Sequence, residues 1–148
     1  MRWLLDTNVV SETGRDRPNR GVLTWCSQQP EELVAISMVT LAELHEGAAI
    51  QIDGQRRSEL AEWLETTVMP WLGERILPVT LEILVDWLDV GRKLSSKGMT
   101  RNPADLLIAA TARVHGLIIV SRNVRDFAGT GVVVYDPWNS ETHRTEMV

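Results

Sequence analysis

Cysteine is almost missing from this chain. Cys26 stands alone among 148 residues, which excludes an internal disulfide and a multi-cysteine zinc site and fits a reducing compartment. Histidine is scarce too. His45, His115 and His143 keep no ligand spacing and are expected on the surface or on helix faces. No apolar run approaches the ~20 residues of a membrane span. The opening Met1-Arg2-Trp3-Leu4-Leu5-Asp6 has one basic residue and a short apolar run cut by Asp6. That is too brief for a signal peptide, so a cytoplasmic location and no membrane partner are expected. Aromatics other than tryptophan are nearly lacking, with one Tyr and one Phe against six Trp; helical or strand spacing assigns most of the tryptophans to the core. A surplus of positive charge is also absent. Fifteen basic against twenty acidic residues leave −5, which argues against a general cationic coat for nucleic acid but not against a local basic rim.

What is present suits one globular domain. Apolar residues make up 44% of the chain, and a chain of this length buries roughly 70% of its unfolded surface. Residues 2–6 read as a short buried strand ending at Asp6, and 33–36 as a second strand followed by Ser37 as a helix cap. Leu41, Leu44, Ala48 and Ile52 share a helix face, and a second helix around residues 60–68 is perturbed by Pro70. Leu81, Leu84, Val85, Leu88 and Leu94 mark a long amphipathic helix. Asn102-Pro103-Ala104-Asp105 is a helix start, with Asn at the cap, Pro at the first position and an acid in the first turn. Leu117-Ile118-Ile119-Val120 reads as a strand buried on both faces, and 132–135 as a last strand. Strands alternating with helices predict an α/β fold with a mostly parallel sheet covered on both sides. The final ten residues, 139–148, are polar and expected to fray.

Sites in open α/β sheets lie beyond the carboxyl ends of the strands, where the strand order switches. The predicted elements bring Asp6, Glu43, Asp105 and Asp126 from four distant segments to that edge. Each has a local explanation: a cap for Asp6, a solvent-facing helix position for Glu43, a capping box with Asn102 for Asp105, an ion pair with Arg122 or Arg125 for Asp126. Together they would repel one another unless a hard divalent cation joined them. Mg²⁺ or Mn²⁺ prefers oxygen ligands, keeps several waters, and serves in-line displacement at phosphate.

Four motifs carry a resemblance. Leu5-Asp6-Thr7-Asn8-Val9-Val10-Ser11-Glu12, Thr40-Leu41-Ala42-Glu43-Leu44 with Gly47, Ala104-Asp105-Leu106-Leu107-Ile108-Ala109-Ala110-Thr111-Ala112, and Val120-Ser121-Arg122-Asn123-Val124-Arg125-Asp126-Phe127 resemble, in order and spacing, those of the PIN-domain ribonucleases. Within that family the likeness is to the VapC-type toxins of toxin–antitoxin pairs, and Asp136-Pro137-Trp138 is similar to endings in the FitB-related subgroup. The resemblance covers residues 1–138. It implies a three-layer α/β/α PIN-like domain with about five strands and a Mg²⁺- or Mn²⁺-dependent endoribonuclease with metal-site roles for Asp6, Glu43 and Asp105. Asp126, the remaining acid of the fourth motif, is assigned the fourth role, with Asn123 as a neutral ligand or water-positioning group and Asn8 and Ser121 orienting waters or carboxylates. It also implies a homodimer and an antitoxin that inserts a segment into the acidic groove. RNA-contact candidates are Arg15, Arg17, Arg20, Arg92, Arg101, Arg122 and Arg125, because guanidinium forks suit phosphate oxygens.

Two other readings compete. Asp6-Thr7-Asn8 loosely resembles the nucleophile motif of haloacid-dehalogenase-like phosphatases, with Asp6 as nucleophile, but Asn8 stands where those enzymes need a second aspartate. A non-catalytic PIN-like binding module is the other, and the intact acidic set argues against it. A DNA-cutting flap-nuclease relative would share the fold, but the long insertions such enzymes use are absent.

Overall fold

Neighbouring residues within each short strand point to opposite sides, and both sides are apolar. Leu5, Ile36 and Val120 enter one hydrophobic cluster, while Leu4, Ala35 and Ile119 enter another. A sheet buried on both faces needs helices on both. The computed structural model describes residues 1–148 and contains six strands. These are β1 (Trp3–Leu5), β2 (Val34–Ser37), β3 (Ile76–Leu77), β4 (Ile118–Val120), β5 (Val133–Asp136) and β6 (Glu141–Arg144). Their order is β3-β2-β1-β4-β5-β6. The first five are mutually parallel, and β6 runs antiparallel to β5.

The helices are α1 (Thr7–Thr13), α2 (Arg20–Gln28), α3 (Met38–Ala49), α4 (Gly54–Trp63), α5 (Met69–Leu72), α6 (Leu81–Ser96) and α7 (Pro103–His115). Helices α1, α2, α3 and α5 contribute Val9, Val22, Leu44 and Leu72 to the Leu5 side, with Leu60 and Trp63 of α4 packed half-buried against it; α7 contributes Ile108, Ala109 and Ala112 to the Leu4 side. Between α4 and α5 the helix widens into a π-turn over Leu64–Val68, with the Met69 N–H bonded back to Leu64 O. Pro70 has no N–H to continue the ordinary ladder, which accounts for the perturbation expected there.

Two expectations change. Glu141–Arg144 does not fray: it pairs with β5 along its whole length, and the chain end returns to Gly129, where Val148 N–H meets the carbonyl at 3.3 Å. A polar strand suits this position because an antiparallel edge is covered on one side only. In α6 the inward residues are Ile83, Val90 and Leu94, whereas Leu81, Leu84, Val85 and Leu88 are exposed. This helix carries two apolar stripes, and the more regular one faces outward. No helix is long and apolar enough to cross a membrane. The tryptophans are half-buried. Trp3, Trp25 and Tyr135 form a cluster with ring centroids 5.2 to 5.8 Å apart, while Trp63 and Trp138 border open cavities.

Candidate active site at the switch in strand order

The chain builds β1, β2 and β3 outward to one side, then crosses to lay β4 and β5 on the other. The strand order therefore reverses between β1 and β4, and the residues leaving those two strands are Asp6 and Ser121. A cleft of about 450 Å³ opens there, bordered by Asp6, Asn8, Glu43, Asp105 and Asn123.

Asp6 is buried at the N-cap of α1 and receives the Thr7 N–H at 2.8 Å. The capping explanation thus holds for one carboxylate oxygen. The other, Oδ2, accepts the Ser121 hydroxyl at 2.7 Å and the Asn8 amide at 3.2 Å. Asn8 also donates to Ser121 Oγ at 3.1 Å and accepts the Arg122 N–H at 3.1 Å. Ser121 Oγ takes the Asn123 N–H at 3.0 Å. This net ties the end of β1 to the end of β4 and fixes the Asp6 carboxylate in one orientation. The Thr7 hydroxyl donates to Glu43 Oε1 at 2.7 Å, so one residue orients two carboxylates. The sequence shows Thr7 only as the neighbour of Asp6 in the first motif; its bond to Glu43 appears with the fold.

Burial, aided by the charges of Glu43 and Asp126, raises the Asp6 pKa, and hydrogen bonds from Ser121 and Thr7 oppose that rise. Asp105 sits in the first turn of α7, where Asn102 caps by accepting the Ala104 N–H at 2.8 Å. The helix dipole favours a negative charge at such a position by about 0.3–1 kcal/mol. Burial, with the charges of Asp6, Asp126 and Glu43, outweighs the dipole and pushes Asp105 up to about 7. Asp126, on the 3₁₀ turn Val124–Phe127, acts on Asp6 and Asp105 through its charge, but it is Arg122 and Asn123 of this loop, not Asp126, that border the cleft.

As the side chains stand, no three carboxylates converge closely enough to clasp an ion by themselves. A Mg²⁺ that keeps most of its waters needs only one or two direct carboxylates. The donor set is all oxygen, and the neighbouring carboxylate charges help to raise Asp6 and Asp105, an effect that an added cation would reverse. The residues present therefore fit a hard divalent cation.

The arginines separate. Arg15 and Arg122 border the cleft, with the Arg122 guanidinium 5.2 Å from the Trp138 ring centre. Arg17 lines a neighbouring cationic hollow with Arg15 and Arg56. Arg20 opens α2, and Arg125 is exposed on the 3₁₀ turn. Arg92 lies elsewhere, paired with Asp89 at 3.0 Å on α6. Arg101 is also outside the cleft lining, its donors held by the carbonyls of Ala128 (3.1 Å) and Thr100 (2.8 Å). Glu12, the last residue of the first motif, is buried; it accepts the Asn19 N–H at 2.8 Å and Arg15 at 3.2 Å, holding the loop that carries Arg15 and Arg17. Arg56 was missed as well, since no local motif marks it and only the packing of α4 brings it near Arg15.

A doubly covered sheet with acids gathered at its switch point is the PIN arrangement, and the PIN domain model matches residues 3–132: the chain belongs to the PIN-domain family. Within it the similar proteins are VapC and FitB chains. The chain is 36% identical to VapC ribonuclease Y4jK of Sinorhizobium fredii, over 91% of this chain and 96% of that one. It is 35% identical to Toxin FitB of Neisseria gonorrhoeae, over 92% and 98%. The crystal structure of FitAcB from the same organism superposes with a TM-score of 0.86 at 35% identity, over 92% of this chain and 98% of that one. The phosphatase alternative falls with this membership, and the Asn8 amide it left unexplained is engaged with Asp6, Ser121 and Arg122.

Proposed function

We propose that the chain is the toxin of a toxin–antitoxin pair and a Mg²⁺- or Mn²⁺-dependent endoribonuclease, with Asp6, Glu43, Asp105 and Asp126 as its catalytic, metal-holding carboxylates. The observation that carries this reading is the gathering of acids from four segments at one rim, where burial and mutual repulsion raise Asp6 and Asp105. When bound, the cation supplies an activated water and neutralises charge on the phosphate. The chain's own residues supply the orientation. Thr7 N–H, Ser121 and Asn8 hold Asp6, and the Thr7 hydroxyl holds Glu43, so both carboxylates are set before the cation arrives. Asn123, Arg15 and Arg122 border the cleft, which supports a water-positioning role for Asn123 and RNA-phosphate contacts for the two arginines.

The names of the similar proteins, VapC ribonuclease and Toxin FitB, support the activity and the class. An antitoxin would cover the same acidic groove, where a basic side chain finds its complement. A second copy of the chain would cover the outward stripe of α6, in which Leu81, Val85 and Leu88 are 77%, 58% and 58% exposed. The deciding experiment uses protein freed of any antitoxin and a structured RNA. Cleavage with Mg²⁺ or Mn²⁺, its loss in EDTA and its loss in Asp6→Ala are expected. Full activity in excess EDTA, or an undiminished Asp6→Ala variant, overturns the proposal. Growth arrest by the wild type, relieved in Asp6→Asn, separates catalysis from binding alone.

A further inference from the structure

Beside the acidic cleft lies a second cavity of about 280 Å³ between α1, α3 and α4. The two share Thr7, Ser11, Arg15 and Glu43, so they form one continuous depression. Their walls differ in character. The cleft is lined almost wholly by polar side chains, whereas the inner wall of the slot is Leu44, Ala48, Leu60 and Trp63. Its mouth carries three arginines: Arg15 and Arg56 border it, and Arg17 joins them in the adjoining hollow, facing Asp16 in the hollow, Glu43 on the wall shared with the cleft, and Glu12, 3.2 Å from Arg15. The ion pair of Arg56 with Glu59 is long, at 3.7 Å.

Gly47 also faces this space. It lies inside α3, where glycine is less favourable than alanine, and its helical backbone does not require it. A Cβ built there meets no atom within 4 Å. The position therefore leaves open room that a side chain would take. Trp63 is fixed at the other end of the slot, against Gly14, where an added Cβ would lie 2.6 Å from the indole. Here glycine is required by close approach, and the ring is a rigid wall tied to the segment that carries Arg15.

An apolar, aromatic-walled slot with arginines at its mouth, opening onto a phosphodiester-cleaving centre, matches a nucleotide with its base turned out of the stack. Bases stack on aromatic side chains whatever their identity, and phosphates prefer arginine forks. We propose that the slot takes an unstacked base of the RNA beside the scissile phosphate, with the adjoining backbone phosphate held by Arg15, Arg17 and Arg56. This rests on the endoribonuclease reading above and adds to it a subsite that determines base preference next to the cut.

The test uses full-length protein, short single-stranded RNA of random sequence, and sequencing of the cleaved ends. The wild type should show a base preference at one position flanking the cut. Gly47→Leu, which fills the slot, and Trp63→Leu, which removes the stacking wall, should flatten that preference and raise KM about tenfold or more, with a smaller effect on kcat. Arg56→Ala should raise KM and reduce the dependence of log KM on log salt by about 0.7, the share of one phosphate contact on a single strand. Gly47→Ala narrows the slot while favouring the helix, so weaker RNA binding with an equal or higher melting midpoint separates slot filling from misfolding. Unchanged KM and base preference in the Gly47 and Trp63 variants, with wild-type cleavage intact, overturn the slot and leave the nuclease reading standing. Slot variants that cleave normally but escape inhibition by the protein partner assign the slot to that partner and also overturn it. A wild type that fails to cleave with either cation overturns both.

Discussion

At the scale of single residues, Thr7 shows how one small side chain orients two carboxylates from separate segments. Its N–H holds Asp6 and its hydroxyl holds Glu43. Thr7→Val keeps the shape and the N–H but removes the hydroxyl, and should lower kcat about tenfold or more, as loss of a partner to a metal-binding carboxylate does; steady-state cleavage at saturating RNA checks this. Asp105 gives a pH prediction. Its folded pKa is raised from 3.8 to about 7, so the metal-free fold is favoured while this carboxyl is protonated and loses that contribution as pH rises through about 7. Asp105→Asn should therefore raise the melting midpoint of EDTA-treated protein at pH 8, raise it less at pH 5, and abolish cleavage at both. Asp6 and Asp105 were legible at the sheet edge because one follows β1 and the other stands in the first turn of α7, whereas Glu43, inside α3, and Asp126, inside a 3₁₀ turn, were reached only through their motifs. The Thr7–Glu43 and Glu12–Asn19 bonds were not legible, because a hydrogen bond between separate segments leaves no periodic trace. The separation of Asn123 from Asp126 depends on the winding of one 3₁₀ turn, which the spacing alone leaves open.

At the scale of elements, α7 was the most readable. Asn102, Pro103 and Asp105 fix its start, and Gly116, in the left-handed region at φ 65°, ends it. Asn102→Ala should destabilise the fold by about 1 kcal/mol in a denaturant titration. It should leave cleavage detectable, because Asp105 is not held by the Asn102 side chain. Helix α6 was readable as a helix but not in its orientation. Residues 81, 84, 85 and 88 make a regular stripe, yet Ile83, Val90 and Leu94 turn inward, the last two packing with Leu106 of α7 and Val148 at the chain end. Which of two apolar stripes turns inward is decided by the surface it meets. In the proposed homodimer, Leu88→Glu on the outward stripe should give a monomer where the wild type gives a dimer in light scattering, with little change in melting midpoint; a wild type that is itself monomeric overturns that pairing.

At the scale of the whole molecule, the parallel sheet was legible because five buried strands alternate with helices, whereas β6 was not. Glu141, Thr142 and Arg144 read as a solvated tail, and only the edge of β5 gives them a partner. A chain ended at Trp138 would leave the β5 edge unpaired, a template for pairing with other chains. Such a truncation should aggregate on heating at concentrations where the full chain stays clear, measured as turbidity. The switch in strand order has a consequence in time. Asp6 and Glu43 are made early, but the Ser121 and Asn8 net, Asp105 and Asp126 wait for β4 and the turn after it, close to the end of the chain. Until β4 is made, β1 has no partner on that side of the sheet. A chain cut short before Ile118 therefore carries the Asp6 carboxylate without the Ser121 hydroxyl that orients it.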